Sequence, residues 1–365
     1  MTNRLILLAA LALVACGGPK QKPLETPKDV LVHRLFSYAR NGQIAYGHQD
    51  DLAYGHAWCV EDYHNDALER SDVKAVTGKY PMVLGFDLGG IELDQEDDVN
   101  LDGVPFGLMV KASLKHIGRG GIVTFSWHPR NPLTGGDAWD ISSPEVVKAV
   151  LPGGEKNAEF RVWLDRVADF FDHLGPDVSV IFRPWHENTG SWFWWGEKLC
   201  TPREYQELYR YTWLYLVKER GLDNLLWCYS PGGDAGPQRA MDRYPGDEFV
   251  DIIGVDSYEF VGDGSVEEAR VRYQEELKSA LNFLAAVGME HEKLICLSET
   301  GLEGLPDLKW WTETLYPAIR EYPISYVLTW RNASDKPGHF YAPWDGFEGA
   351  ADFKAFSELE NILFL

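Results

Sequence analysis

The feature that most restricts how this chain can fold is an alternation. Short, continuously apolar runs recur between longer stretches of helical spacing, from residue 44 to residue 330. Eight such runs occur: Ile44–Gly47, Met82–Asp87, Gly121–Trp127, Val178–Arg183, Leu225–Ser230, Ile252–Asp256, Leu294–Ser298 and Tyr326–Trp330. Interiors such as Ile122-Val123-Thr124-Phe125 lack the polar alternation of a one-sided sheet, so they predict strands buried on both faces. Between them, Phe160, Trp163, Leu164, Val167, Phe170, Phe171 and Leu174 repeat along one helical face and stop at Gly175-Pro176. Thr201-Pro202-Arg203-Glu204 reads as a capping box with proline at the first helical position. Ser265-Val266-Glu267-Glu268 opens another helix, running to Val287. Strand–helix units repeated in this way predict an α/β fold, a single (β/α)8 TIM barrel. A doubly wound sheet would place a glycine-rich phosphate loop after the first strand, and none is present there.

Composition narrows the ligand. Lys and Arg number 34 against 56 Asp and Glu, a formal charge of −22. Such a surface repels phosphate backbones and anionic headgroups, which excludes nucleic acid as a partner. The chain also carries 14 Trp with 17 Tyr and 17 Phe. Rings in that number fill cores, and they are also the material on which sugars stack. A neutral, extended polysaccharide suits both facts.

The N-terminus reads as an address. Met1 to Arg4 is a short positive region, and Leu5 to Ala12 is an apolar run too short to span a bilayer. Leu13-Val14-Ala15-Cys16-Gly17 resembles a bacterial lipoprotein box, which implies cleavage after residue 15 and acylation of Cys16. Residues 16–30, rich in Pro and Lys, read as a tether, and residues 31–365 as the catalytic domain. The expected location is the outer membrane, with the lipid the sole membrane contact and the body a monomer. Gly17 and Gly18 offer no Asp retention signal for the inner membrane.

Cys228 and Cys296 fall in strand-like runs and read as buried small hydrophobes. Cys59 and Cys200 lie in loop-like sequence and could pair in an oxidising compartment, though their spacing does not establish a bond. No CxxC or HExxH occurs, so no metal and no other cofactor is expected. Asp98-Val99-Asn100-Leu101-Asp102-Gly103 imitates the start of a calcium loop, but position twelve is Met109 where a Glu is needed.

In a barrel of this kind chemistry collects where strands end. Ser126-Trp127-His128-Pro129 follows the third run and Arg183-Pro184-Trp185-His186-Glu187 the fourth. Asp256-Ser257-Tyr258 closes the sixth, Ser298-Glu299-Thr300-Gly301 the seventh and Thr329-Trp330-Arg331-Asn332 the eighth. Glu187 and Glu299 therefore face one another across the barrel mouth. Glycosidic cleavage needs that pair: one acid to protonate the leaving oxygen and one carboxylate to attack the anomeric carbon. Trp194 and Trp195 equally suit loop support. His48 and His56 read mainly as structural, with lining of distal sugar sites as the alternative.

The run WHENTGSWFWWG, with SWHPRNP, Asp-Ser-Tyr, SETG and TWRN in the same order, resembles glycoside hydrolase family 26, whose best-known members are β-mannanases. The likeness covers Val30 to the C-terminus. It departs at Thr189, where family members commonly have Asn, a change expected to affect loop detail alone. The resemblance implies a retaining mechanism with Glu187 as acid/base and Glu299 as nucleophile. It implies sugar contacts from His128, Trp192, Asp256, Trp330 and Arg331, a His186 that binds the sugar at the reacting subsite or tunes the carboxyl groups, and a Tyr258 hydroxyl that orients the nucleophile. The implied substrate is mannan, glucomannan or galactomannan. The alternatives are β-1,3-xylan, mixed-linkage glucan, release of mannobiose from chain ends, or a glycan-binding lipoprotein without catalysis. The inserts Asn65–Tyr80 and Asn131–Lys156 are the segments long enough to close an end of the cleft.

Overall fold

The structure is a computed structural model that describes residues 25–93 and 98–365. Cys16 and most of the expected tether lie outside the described residues. The end of that tether is different from expectation. Thr26 and Asp29 form a reciprocal capping box, and Pro27–Arg40 is helical. Leu31 and Leu35 of this helix pack against inward residues of the barrel such as Val83, Ile122 and Leu328, closing its N-terminal end.

The predicted strands all form: β1 (Ile44–Gln49), β2 (Val83–Asp87), β3 (Ile122–Trp127), β4 (Ile181–Pro184), β5 (Leu226–Tyr229), β6 (Ile252–Glu259), β7 (Leu294–Leu302) and β8 (Tyr326–Thr329). Each pairs in parallel with the next, and β8 returns to β1, so the sheet closes into an eight-stranded barrel. A short C-terminal strand, Ile362–Leu363, adds to β1 beside the barrel. Helices cover the outside because each strand carries apolar side chains on both faces. Those expected at Thr201 and Ser265 begin there, both with capping boxes, at Pro202–Trp213 and Val266–Glu290.

One irregularity shapes the mouth. Val255 pairs with Leu297, but Asp256 pairs with Glu299, so β7 carries one extra residue against β6. The neighbouring β8 shows the same shift, with Val327 opposite Leu297 and Thr329 opposite Thr300. A bulge of this kind re-aims a side chain. Glu299 therefore lies within a long β7, not beyond its end as the apolar pattern suggested. Gly254 makes room beneath it: a Cβ there would meet Ser298 Oγ at 2.5 Å.

The described cysteines are all unpaired. Cys59 is exposed, whereas Cys200 is buried with its Sγ 3.1 Å from Arg243 Nη2, so the possible Cys59–Cys200 bridge is absent. Cys228 and Cys296 are fully buried. The calcium-like segment is used otherwise. Asn100 Oδ1 accepts from the amides of Asp102 and Val104, and Asp102 pairs with Arg331 at 3.0 Å.

Candidate active site

The site is built on the C-terminal ends of the strands, and an arginine sits at its centre. Arg183, near the end of β4, is almost completely buried. Its Nη1 donates to Asp256 Oδ2 at 2.8 Å and to Ser230 Oγ at 3.0 Å, while its Nη2 donates to Glu299 Oε1. Tyr258 donates its hydroxyl to the other oxygen, Glu299 Oε2, at 2.7 Å. Both Glu299 oxygens are thus held by donors that stabilise the ionised form and fix its direction. Asp256 is held just as firmly. Ser298 Oγ donates to its Oδ1 at 2.7 Å, and its side chain is sealed from solvent. Burial, opposed by Arg183 and reinforced by Glu299, pushes the Asp256 carboxyl up to about 7.

Glu187 approaches from the loop after β4. Its backbone is left-handed, with φ of 52°, as is that of Trp185 at 57°. Non-glycine residues adopt this region at a cost of about 1–3 kcal/mol, met here by surrounding structure. Trp185 is buried with its Nε1 on Thr212 Oγ1, and the Glu187 amide donates to the Ser230 carbonyl at 2.7 Å. Trp194 and Trp195 are buried supports of the same loop, bonded to the carbonyls of Pro129 and His186. Trp192 differs: it is 41% exposed, and its Nε1 donates to Glu187 Oε2 at 2.7 Å. Burial raises the Glu187 carboxyl well above its ordinary value, and the negative charges of Asp256 and Glu299 add to the shift. One carboxylate oxygen from each of Glu187, Asp256 and Glu299 lies within 4.8 Å of the other two. A cation could in principle bridge three such acids, but the Arg183 guanidinium already supplies positive charge to two of them.

A second chain of bonds runs through the histidines. His128 Nδ1 lies 2.7 Å from Asp87 Oδ2, and its Nε2 lies 3.0 Å from His186 Nε2. Burial opposes charge on His128, yet the adjacent Asp87 carboxylate raises it above the ordinary histidine value. Burial, then Arg183 and His128, hold His186 well below it. The two Nε2 atoms share one proton, and the buried His186 Nδ1 has no partner among the described residues.

Two cavities flank these groups. One of about 190 Å³ is lined by Asp87, Asp102, His128, Trp139, Trp330 and Arg331 among others. Trp139, from the insert Asn131–Lys156, lies parallel to the His128 ring at 5.3 Å. Arg331 is fixed there by Asp102 and by Tyr54, whose hydroxyl donates to Asp50 Oδ2. The other cavity, about 570 Å³, includes Glu187, Trp192, Asp256 and Tyr258. The insert Asn65–Tyr80 takes a supporting place, where Asp72 ties Trp58 to Asn332. His48 is buried against Asp51, and His56 stacks on Trp344 at 3.4 Å. Arg183, Asp87 and Asp102 carry much of the geometry although no role was read for them in this site; Arg183 and Asp87 are signalled only as polar residues near the ends of apolar runs.

The family profile described as "Glycosyl hydrolase family 26" matches residues 29–274. A mannan endo-1,4-β-mannosidase of Bifidobacterium adolescentis is 33% identical over 336 residues, 86% of this chain and 33% of that protein. One from Bacillus subtilis is 33% identical over 199 residues, 52% of this chain and 54% of its own length. The chain thus spans about a third and about half of these two relatives. The solved GH26 β-mannanase from Bacteroides ovatus superposes with a TM-score of 0.86 at 45% identity, covering 93% of this chain and 95% of that one. With the barrel and the paired carboxylates, the match places the chain within glycosyl hydrolase family 26.

Proposed function

We propose that this protein hydrolyses β-1,4-mannan by double displacement, with Glu187 as acid/base and Glu299 as nucleophile. The observation that carries the reading is that one carboxylate oxygen of Glu187 comes within 4.8 Å of one of Glu299. Retaining glycosidases set their carboxyl groups about 5–5.5 Å apart, whereas inverting ones leave about 6.5–9.5 Å for a water. Glu299, ionised and aimed by Arg183 and Tyr258, attacks the anomeric carbon while Glu187 gives its proton to the departing oxygen. Forming the ester removes the Glu299 charge that helps to raise Glu187. Glu187, deprotonated in the first step, is then more stable as the carboxylate and serves as base toward the incoming water. His128, Trp330 and Arg331 line the side that holds the retained sugars. Asp256, with both oxygens on protein donors, holds Arg183 in place.

The substrate assignment follows the mannan endo-1,4-β-mannosidases among its relatives. A mannobiose-releasing mode is the second reading, favoured by the small cavity at Arg331, about 190 Å³ against about 570 Å³ opposite. Lipid attachment through Cys16 at the outer membrane is part of the proposal, on the strength of Leu13–Gly17. A product time course on linear mannan, galactomannan, β-1,3-xylan and mixed-linkage glucan tests it. Early manno-oligosaccharides of mixed length are expected. Mannobiose alone from the start would select the second reading, and inactivity on both mannans would overturn the substrate.

The acid role also makes a pH prediction. The proton on Glu187 is required for the first step, so kcat/KM falls as pH rises through its raised pKa. The Trp192 bond stabilises the ionised form and lowers that pKa. Trp192→Phe is therefore expected to move the alkaline limb of the kcat/KM profile to higher pH. A limb unmoved or shifted down would show that Glu187 does not set it.

A further inference from the structure

The loop that carries Glu187 and Trp192 is gripped from behind by two arginines. It runs from Glu187 to Cys200 and is drawn together where the Glu197 amide donates to the Gly190 carbonyl at 2.8 Å. Both arginines come from one short segment, Arg239 within the helix Pro237–Asp242 and Arg243 at its end. Arg239 Nη2 donates to the Thr189 carbonyl at 2.8 Å and pairs with Glu197 at 3.0 Å, so one side chain holds both limbs. Arg243 reaches deeper. Its Nε donates to Asn188 Oδ1 at 3.2 Å, its Nη1 to the Cys200 carbonyl at 3.1 Å and its Nη2 to the Trp195 carbonyl at 3.1 Å. Those acceptors lie at the start, in the middle and at the end of the loop. Arg243 is 2% exposed, and no ion pair to it occurs among the described residues. Burying a charge without a counter-ion is costly, so a residue needed only to fill this space would be apolar.

We propose that Arg243, assisted by Arg239, is a positioning residue for the general acid. The inference rests on the reading of Glu187 as acid/base. Glu187 stands in left-handed backbone, a conformation that persists only where surrounding structure over-determines it. Trp192, bonded to the Glu187 carboxyl, belongs to the same loop, so a shift of the loop moves both together. Arg243 prevents that shift. Its guanidinium presents donors fixed in one plane, which suits three oxygens at three separate points of a loop. The Tyr205 ring, 4.8 Å from the guanidinium carbon, backs it from the helix Pro202–Trp213. Neither arginine is among the residues lining the two cavities that flank the reacting carboxylates, so each acts on the reaction through Glu187.

The test compares kcat/KM on two aryl β-mannobiosides that differ only in the leaving phenol. A dinitrophenyl group departs without a proton, whereas a phenyl group needs one from Glu187. A displacement of about 1 Å in a catalytic group costs up to about 10²-fold, so Arg243→Met is expected to lose roughly 10–100-fold on the phenyl glycoside. On the dinitrophenyl glycoside its loss should stay within a few-fold. Arg239→Met, at a half-exposed position that threatens folding less, is expected to show the same split at several-fold and carries the test if Arg243→Met does not fold. Equal losses on both glycosides, or none on either, would overturn the positioning role and leave Glu187 as the acid. Glu187→Ala measured alongside separates the two readings. If that variant shows no split, the acid assignment falls and the positioning role with it.

Discussion

Glu299→Ala is expected to lower mannan turnover by on the order of 10⁴-fold or more, because it removes the carboxylate proposed to form the covalent intermediate. Glu187→Ala should behave differently. Loss of the general acid costs about 10²–10⁴-fold on polysaccharide, where the leaving alcohol must be protonated. On an aryl mannobioside with an acidic phenol the first step needs no proton, so a rapid burst of phenol should precede slow turnover. Azide, which attacks without a general base, should speed that second step in Glu187→Ala and yield a β-glycosyl azide. Steady-state and pre-steady-state release of the phenol distinguish the two variants. A burst from Glu299→Ala, or near-normal mannan hydrolysis by either, would dismantle the assignment.

The second large effect concerns stability. Arg183 is buried between Asp256 and Glu299, and its guanidinium is the cation that both carboxylates share. Arg183→Leu leaves two acids facing each other without it. Removing one partner of a buried ion pair costs about 3–5 kcal/mol, since the remaining charge has no water to return to. Urea unfolding of Arg183→Leu should show a loss of that size. Adding Asp256→Leu should recover part of it, because one orphaned carboxylate is then gone. A single variant within about 1 kcal/mol of the parent would mean that the acids find other partners or stay protonated. The same substitution should cut activity, as Glu299 loses both its charge stabilisation and its aim.

Much of this architecture is legible in the chain. The apolar runs are buried on both faces whatever their neighbours, so their number and order announce the barrel. The capping boxes at Thr201 and Ser265 are local bonds among residues three apart, which the pattern states outright. Glu187, Glu299, Tyr258 and Arg331 stand at or near strand ends, and topology brings those ends to one rim.

What only the tertiary structure decided lies in contacts between distant parts of the chain. No pattern in Leu294–Leu302 reveals a bulge, because the extra residue exists only relative to β6 and β8. Asp102 looks like a cation ligand until the fold sets it against Arg331, more than two hundred residues away. Cys59 and Cys200 are equal candidates for a bridge until burial separates them. Asp256 reads as a sugar contact, and the structure spends its oxygens on Arg183, Ser230 and Ser298. The sequence by itself determined which side chains alternate with which spacing, and so the barrel and the residues at its rim. Which of those residues touch, and which are left free to meet a ligand, follows from closure of the sheet, a three-dimensional relation that no local period encodes.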